Sequence, residues 1–134
     1  MPDFTTKEQL MAREAYIRVE TRKNESGFKD YKTFALSFPS LIHSCGLVQA
    51  LAFAKKETKG KDTKAKSGYL DDLQKVFDTI DNGGDLLERS REAPVMEYMR
   101  ITRHAINAAS WIKRYCQAIN TEGGGNLAEL SQSS

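Results

Sequence analysis

The sequence predicts an all-α protein, a single compact bundle of about five or six helices with a disordered C-terminal tail. First, its 134 residues and apolar fraction of 40% fit one domain with one core. Second, strong helix formers such as alanine, leucine, lysine and glutamate dominate between the breaks. Third, residues 38–56 and 94–120 are apolar on more than one side when wound as helices, which is typical of helices covered by several neighbours. The bundle is expected to span residues 1–120 and the flexible tail residues 121–134.

The N-terminal helix is predicted from its capping signals. Thr5 with Glu8, or Thr6 with Gln9, has the spacing of a capping box, and the helix should continue to about residue 23. The residues expected on its apolar side are Leu10, Ala15, Tyr16, Ile17 and Val19. A turn at Gly27 is then expected to separate it from the second helix.

Pro39 divides the next apolar segment in this prediction. Aromatic residues at helical spacing predict a short second helix over residues 28–38, and the residue before a proline is steered away from helical angles. A proline also suits the first turn of a helix, so a central helix without a continuous polar face is expected over residues 39–56. Gly46 in its middle costs about 1 kcal/mol relative to alanine, and we expect it to allow another backbone to approach closely.

Residues 55–66 are expected to form a mobile basic loop, because they contain six lysines, two acids and no apolar periodicity. Ser67 is then expected to cap a further helix, which the turn at residues 82–84 ends. A helical turn or two over residues 86–92 and a last, longest helix over residues 94–120 complete the predicted bundle.

Five aspartates lie close together between the basic segment and the last helix. A divalent-cation site and a solvated helix face are both compatible with them. Their spacing does not match a calcium loop, so the solvated face is the favoured interpretation. The five residues are Asp71, Asp72, Asp78, Asp81 and Asp85.

Motifs for catalysis, metals and cofactors are not recognisable in the sequence. Cys45 and Cys116 fall in apolar helical pattern and are expected to be small core residues. Together with His43 and His104 they lack the spacing of a zinc site, so no metal is expected. A Ser-His-Asp signature and a phosphate-binding glycine loop are also lacking, so neither catalytic residues nor a cofactor is expected. Since no signal peptide or membrane-length apolar run is seen, we expect a soluble, cytoplasmic protein without a membrane partner.

Basic residues give the clearest indication of function, although the formal net charge is only +2. One face of the last helix is polar and basic, and its residues recur at three and four positions. They are Arg100, Arg103, Asn107, Ser110 and Arg114. Such a face is compatible with a track for a nucleic-acid backbone and equally with an ordinary charged surface.

Candidate contact residues follow from this pattern and from two further basic segments. The first candidates for backbone contact are Arg18, Arg22, Lys113 and Arg114, and the next are Arg13, Arg103, Lys55 and Lys56. The candidates for base stacking are Tyr69 and Tyr98, although such tyrosines are more often core residues. Contact is therefore expected to be mainly with the backbone, with little sequence preference.

A pattern spread over three helices carries a family resemblance. It comprises Arg13, Ala15 and Val19 in the first helix, then Pro39, Ile42, Gly46, Leu47 and Gln49-Ala50-Leu51-Ala52-Phe53 before the lysines, then Tyr98 and Ser110-Trp111-Ile112-Lys113-Arg114-Tyr115. Over about residues 9–119, the chain resembles the small all-helical subunit of Cmr-type (type III-B) CRISPR RNA-targeting effector complexes. Cys45 stands where that family is expected to have asparagine, and Cys116 stands where alanine is usual.

This resemblance implies a non-catalytic subunit in antiviral defence. Its implied partners are the other Cmr effector subunits, copies of itself stacked head to tail, and the guide and target RNA. Base pairing is expected to read the sequence while the subunit helps to hold the guide–target duplex, and cleavage belongs to a different subunit. Two alternatives stay open: a helical protein–protein adaptor with no nucleic-acid contact, and a small helical enzyme whose site the sequence does not reveal.

Overall fold

Six α-helices make up most of the computed structural model, which describes residues 5–56 and 61–119. They are α1 (Lys7–Arg22), α2 (Phe28–Cys45), α3 (Leu47–Lys55), α4 (Lys61–Asp78), α5 (Leu86–Glu92) and α6 (Val95–Ala118). Within the described ranges no residue is in a β-strand, so the all-α prediction is confirmed. The predicted tail, residues 121–134, lies outside the described residues.

The start of α1 is fixed by the second of the two predicted capping boxes. The Thr6 hydroxyl accepts a hydrogen bond from the Gln9 N–H at 3.0 Å. In return, the Gln9 side-chain oxygen accepts one from the Thr6 N–H at 2.9 Å. Two backbone donors at the helix start are thereby satisfied.

The buried face of α1 differs in part from the predicted one. Met11, Ala15 and Val19 recur every four residues and face the core. The prediction is wrong for Tyr16 and Ile17, which are exposed. Successive residues of a helix turn by about 100°, so these two side chains point away from the face that Ala15 defines.

The break in the central apolar segment lies at Gly46, not at Pro39 as predicted. α2 continues through Pro39 to Cys45, and the proline ring is buried although its missing N–H removes one helical hydrogen bond. Gly46 has φ 87° and ψ 160°, a conformation that favours glycine, so α2 ends there and α3 begins at the next residue. The close approach at Gly46 is made by a side chain rather than a backbone. A Cβ there would lie 3.4 Å from the hydroxyl of Tyr98, which accepts a hydrogen bond from the Val48 N–H at 3.2 Å.

The basic segment 55–66 is not a loop throughout its length, contrary to the prediction. α4 begins at Lys61, so Ser67 lies inside this helix instead of capping it. Residues 57–60 lie outside the described residues. The second half of the segment therefore extends a helix whose apolar stripe becomes visible only further along the chain.

Two exposed side chains correct the expected burial of the central segment. Phe53 is 49% exposed, and the ammonium group of Lys66 lies 4.8 Å from the centre of its ring. Cys45 is also exposed, whereas the second cysteine, Cys116, is buried as predicted. The central segment is therefore covered by the bundle on some sides only.

α6 packs deep in the bundle, as predicted, against α1, α2 and α4. Its N-cap is Pro94. Its buried residues are Ile101, Ala105, Ala108, Ala109, Ile112 and Cys116. The alanines among them allow the neighbouring helices to approach closely. Among the described residues, no helix has both the length and the apolarity needed to cross a bilayer.

Candidate nucleic-acid interface

Two of the predicted RNA-contacting residues, Arg18 and Arg22, are directed at one carboxylate. The Arg22 guanidinium donates to Asp72 from Nε at 2.8 Å and from Nη2 at 3.1 Å. Arg18 Nη1 lies 3.7 Å from the same carboxylate, and the Tyr31 hydroxyl donates to it at 2.6 Å. These four residues, hereafter the Asp72 cluster, join α1, α2 and α4.

Because Asp72 is buried, the members of the Asp72 cluster stay paired with one another. Asp72 is 0% exposed, so the solvated-face interpretation is wrong for this residue. The hydrogen bond to Asp72 and its negative charge raise the pKa of Arg22 above its usual range. Burial, with the same carboxylate, raises the pKa of Tyr31, so its hydroxyl stays protonated and keeps donating. Arg18 and Arg22 thus have an internal partner, and their contact with RNA stays a prediction.

A second group of paired charges includes Arg100, which was predicted to belong to the basic face of the last helix. Asp81 accepts hydrogen bonds from Arg89 at 3.1 Å and from Arg100 at 2.8 Å. Glu97 accepts from the same two arginines at 2.9 and 2.7 Å. Partial burial opposes ionisation of Asp81, but the two arginines outweigh it and hold the pKa of this carboxyl below its usual range. The solvated-face interpretation is therefore wrong for Asp81 as well.

Four predicted cations on α1 and α6 have no carboxylate partner among the described residues. Arg13, Arg103 and Arg114 are exposed, and Lys113 is partly buried. Arg103 and Arg114 lie on one outward side of α6, about three helical turns apart, whereas Lys113 is turned about 100° from Arg114. The predicted basic face of α6 is thus present in reduced form.

Lys55 and Lys56 are exposed on a different part of the bundle. They end α3, which packs against α2, α4 and α5, whereas α1 packs against α4 and α6. Lys55 also lines a small cavity together with Asp71 and Asp85, whose charges oppose the approach of a phosphate. The structure therefore does not bring all the predicted cations onto one surface.

An aromatic group whose rings come from two helices, α1 and α6, lies beside Arg114. Trp111 stacks on Tyr115 with ring centroids 5.9 Å apart, and Tyr115 meets Tyr16 of α1 edge-to-face at 5.6 Å. The indole N–H of Trp111 donates to Glu8 at 2.6 Å. The Arg114 guanidinium lies 4.5 Å from the centre of the Trp111 ring. Tyr16, Trp111 and Tyr115 are named the aromatic ladder below.

The two tyrosines predicted for base stacking are poorly placed for that role. Tyr69 is fully buried, and the Tyr98 hydroxyl is engaged at the start of α3. A signal for the ladder was present in the sequence, because Trp111 and Tyr115 are four residues apart and share one side of the helix. Its third ring comes from α1, so only the packing of the two helices assembles it.

Cysteines and histidines are not gathered into a site. Burial raises the pKa of Cys116 to about 12, so this thiol stays protonated, while Cys45 is exposed on α2. Burial and neighbouring cations lower the pKa of His104, and His43 is exposed. In the part of the chain that the structure describes, no group of three or more His, Cys, Asp or Glu is placed to hold a metal ion.

Known proteins are similar to this chain over most of the span that its six helices occupy. A family model described as CRISPR-associated protein (Cas_Cmr5) matches residues 7–119. The chain is 37% identical over 117 residues to the CRISPR system Cmr subunit Cmr5 of Thermus thermophilus, covering 87% of this chain and 98% of that protein. It is also similar to the crystal structure of a CRISPR-associated Cmr5 family protein from the same organism, with a TM-score of 0.75 and 35% identity, covering 86% and 97% of the two chains.

Proposed function

This chain belongs to the Cmr5 family and is a subunit of the type III-B Cmr CRISPR complex, in which we propose that it acts as a non-catalytic scaffold contacting the guide–target RNA duplex. Other Cmr subunits are accordingly its partners. The proposed action takes place in the cytoplasm, as part of antiviral defence. Its contact is with the RNA backbone, and the guide reads the target by base pairing.

The observation that carries this proposal is the division of arginines into paired and unpaired ones. Arg103 and Arg114 are exposed on α6, and Arg13 is exposed on the adjoining α1. None of the three has a carboxylate partner among the described residues. An arginine without an internal partner keeps its charge and its donors for phosphate oxygens.

A non-catalytic role agrees with the way the acidic and thiol groups are held. Asp72 and Asp81 are each bound by arginines, and the Cys116 thiol is buried and protonated. Groups held in this way stabilise the bundle and do not offer a free base or nucleophile to a ligand. Purified protein carrying a tightly bound metal would contradict this part of the proposal.

We also propose that copies of the chain stack on one another, and an apolar patch at the start of α6 supports this proposal. Val95 and Met96 are 72% and 79% exposed, and Met99 lies one turn further along. Grouped apolar side chains in water are typical of a protein contact, and we assign this patch to a second copy of the chain. Met96→Glu is expected to lower the number of copies per reconstituted complex in native mass spectrometry, whereas Gln117→Glu on the same helix should not. An unchanged copy number for Met96→Glu contradicts the assignment.

The RNA contact is tested in the reconstituted Cmr complex with Lys113→Glu and Arg114→Glu in this subunit. We expect weaker target binding, because two cations become anions beside a polyanion. Each lost phosphate contact should also flatten the dependence of log affinity on log salt by about 0.7 on a single strand. The measurement is a set of target-RNA titrations over a range of salt concentrations.

Lys75→Glu is the matched control, because Lys75 is an exposed cation on α4, a helix that carries none of the cations predicted for backbone contact. Affinity and salt slope should then equal those of the wild type. If the Lys113 and Arg114 variants also match the wild type, the basic residues are an ordinary surface. The protein–protein adaptor is the alternative in that case, and the apolar patch on α6 already favours a protein contact.

A further inference from the structure

The aromatic ladder is packed differently from the aromatic residues of the core. In the core, the buried rings of Tyr31 and Phe38 pack edge-to-face against the buried ring of Tyr69. The ladder instead lies at the surface where α1 meets α6, with Tyr16 50% exposed and its two companions partly buried. Leaving half of an aromatic side chain in water forgoes much of its hydrophobic stabilisation. Core packing therefore does not account for the position of Tyr16.

Stacking and hydrogen bonding fix the ladder before any ligand arrives. The indole N–H of Trp111 is satisfied by Glu8, which sets the orientation of the ring. The centroid distances of 5.9 and 5.6 Å lie within the range of about 4.5–7 Å that aromatic pairs prefer. A surface held in one arrangement loses little side-chain entropy when it binds.

Two guanidinium groups that have no carboxylate partner among the described residues flank the ladder. Arg114 lies 4.5 Å from the Trp111 ring, and Arg13 precedes Tyr16 by three residues, so it occupies the same side of α1. Two carboxylates lie near the ladder, and both are engaged: Glu8 accepts from the indole, and Glu20, one turn after Tyr16, pairs with Lys23 at 2.8 Å. Aromatic rings with arginines beside them match the two parts of a nucleotide, the π-face of the base and the charged phosphate.

We propose that the aromatic ladder stacks an unpaired base of the bound RNA, with Tyr16 as the contacted ring and Arg13 and Arg114 on the neighbouring phosphates. This inference rests on the RNA contact proposed above and adds a base to it. Trp111 and Tyr115 are positioning residues, because they hold Tyr16 in place. Stacking accepts any base, so it suits a subunit that does not read sequence.

The test compares Tyr16→Leu and Tyr16→Phe in the reconstituted complex. Target RNA is used intact and as a series with one abasic nucleotide moved along the strand. Tyr16→Leu should weaken binding of the intact target about tenfold, within the range known for single base stacks, and Tyr16→Phe should bind like the wild type. With the abasic nucleotide at one or more positions, the wild type should bind about tenfold more weakly than it binds the intact target. At those positions the missing base should not weaken the binding of Tyr16→Leu any further.

Phe53→Leu is the matched control, because Phe53 is an exposed aromatic residue beside a lysine but outside the ladder. It should bind as the wild type does, and thermal denaturation should show that Tyr16→Leu is folded. The inference is overturned if Tyr16→Leu binds normally, or if it loses the same further factor as the wild type at every abasic position. It is also overturned if Tyr16→Leu fails to enter the complex while Tyr16→Phe enters, since the ladder would then be a protein contact.

Salt dependence separates this inference from the function on which it rests. Stacking is uncharged, so Tyr16→Leu should leave the salt slope unchanged, whereas the Lys113 and Arg114 reversals should flatten it. If the Lys113 and Arg114 reversals flatten the salt slope but Tyr16→Leu binds with normal affinity, the stacked base is contradicted and the RNA contact is supported. If all three variants have wild-type affinity and salt slope, the stacked base and the RNA contact are both contradicted.

Discussion

The Asp72 cluster and the α1–α6 surface both contain arginines, but the fold uses them in opposite ways. Arg22 makes two hydrogen bonds to a carboxylate 50 positions away in the sequence. Arg114 lies over an aromatic ring on its own helix and has no carboxylate partner among the described residues. In the first region the arginine is paired with a carboxylate inside the fold, and in the second its charge remains available to a ligand.

The helix that each arginine faces decides between these outcomes. α1 packs against α4, which brings Asp72 to Arg22, whereas Arg114 points outward from α6. A buried carboxylate must be paired to be tolerated, so its arginine cannot be removed without a large penalty. An exposed arginine contributes little to stability, and its substitution should affect binding instead.

Asp72→Asn should have the largest effect on stability. The substitution leaves Arg22 and Arg18 facing an uncharged amide, so we expect a loss of about 3–5 kcal/mol in the free energy of unfolding. Urea denaturation near neutral pH measures this loss. Asp71→Asn is the matched control, because Asp71 is the exposed neighbour. Its effect should stay within about 0.5 kcal/mol, and equal losses for the two variants would show that the Asp72 cluster does not stabilise the fold.

Apolar periodicity predicted the helices well wherever local signals were sufficient. The cap at Thr6 and the burial of α6 follow from residues close together in the sequence, and both are confirmed. The break lies at Gly46 and not at the predicted Pro39, because α2 continues through the proline, whose ring is buried. That burial depends on the neighbouring helices, which local sequence does not reveal.

The sequence does not show which predicted site residues are paired within the fold when the partner lies on a distant helix. Arg22 and Arg114 both recur at helical spacing in basic segments, and this spacing does not show which of the two has a carboxylate partner. Asp72 is similar, because its exposed neighbour Asp71 has the same chemistry. Helix packing alone determines which of these charges is paired. The ladder was missed for the same reason, since Tyr16 and Tyr115 meet across two helices.

Arg22→Lys should have a smaller effect than Asp72→Asn and still separate the two regions. Lysine keeps the charge but cannot reproduce the two parallel hydrogen bonds to Asp72, so a loss of about 2 kcal/mol is expected in the free energy of unfolding. Arg114→Lys is the counterpart at the surface and should leave stability unchanged within about 0.5 kcal/mol. Urea denaturation measures both free energies of unfolding. A comparable loss in the two variants would contradict the distinction between arginines paired within the fold and arginines available to a ligand.

His104 extends the comparison to pH, because its ionisation is set by the charges around it. Burial lowers its pKa from 6.5, helped by Lys7, Arg100 and Arg103 and opposed by Asp81. As the pH falls below 6.5, the unfolded chain takes up a proton that the folded chain resists, so stability should decrease. His104→Gln removes this contribution and should flatten the curve of stability, measured by urea denaturation, between about pH 7 and 5.

His43→Gln is the control for that pH dependence, because His43 is exposed on α2. This variant should retain the wild-type curve of stability against pH. The same flattening in His43→Gln would contradict the assignment to His104.

Arg114→Gln should have only a small effect on stability, and that small effect is informative. An exposed cation over an indole contributes about 0.5–1 kcal/mol, so thermal denaturation should change little. Trp111 is the only tryptophan, so its fluorescence reports directly on the ring that Arg114 covers. We expect the emission of the isolated chain to change while the fold persists, which would show that the guanidinium is held by the ring alone. A large loss of stability would instead reveal a structural partner for Arg114, and this arginine would then belong with Arg22.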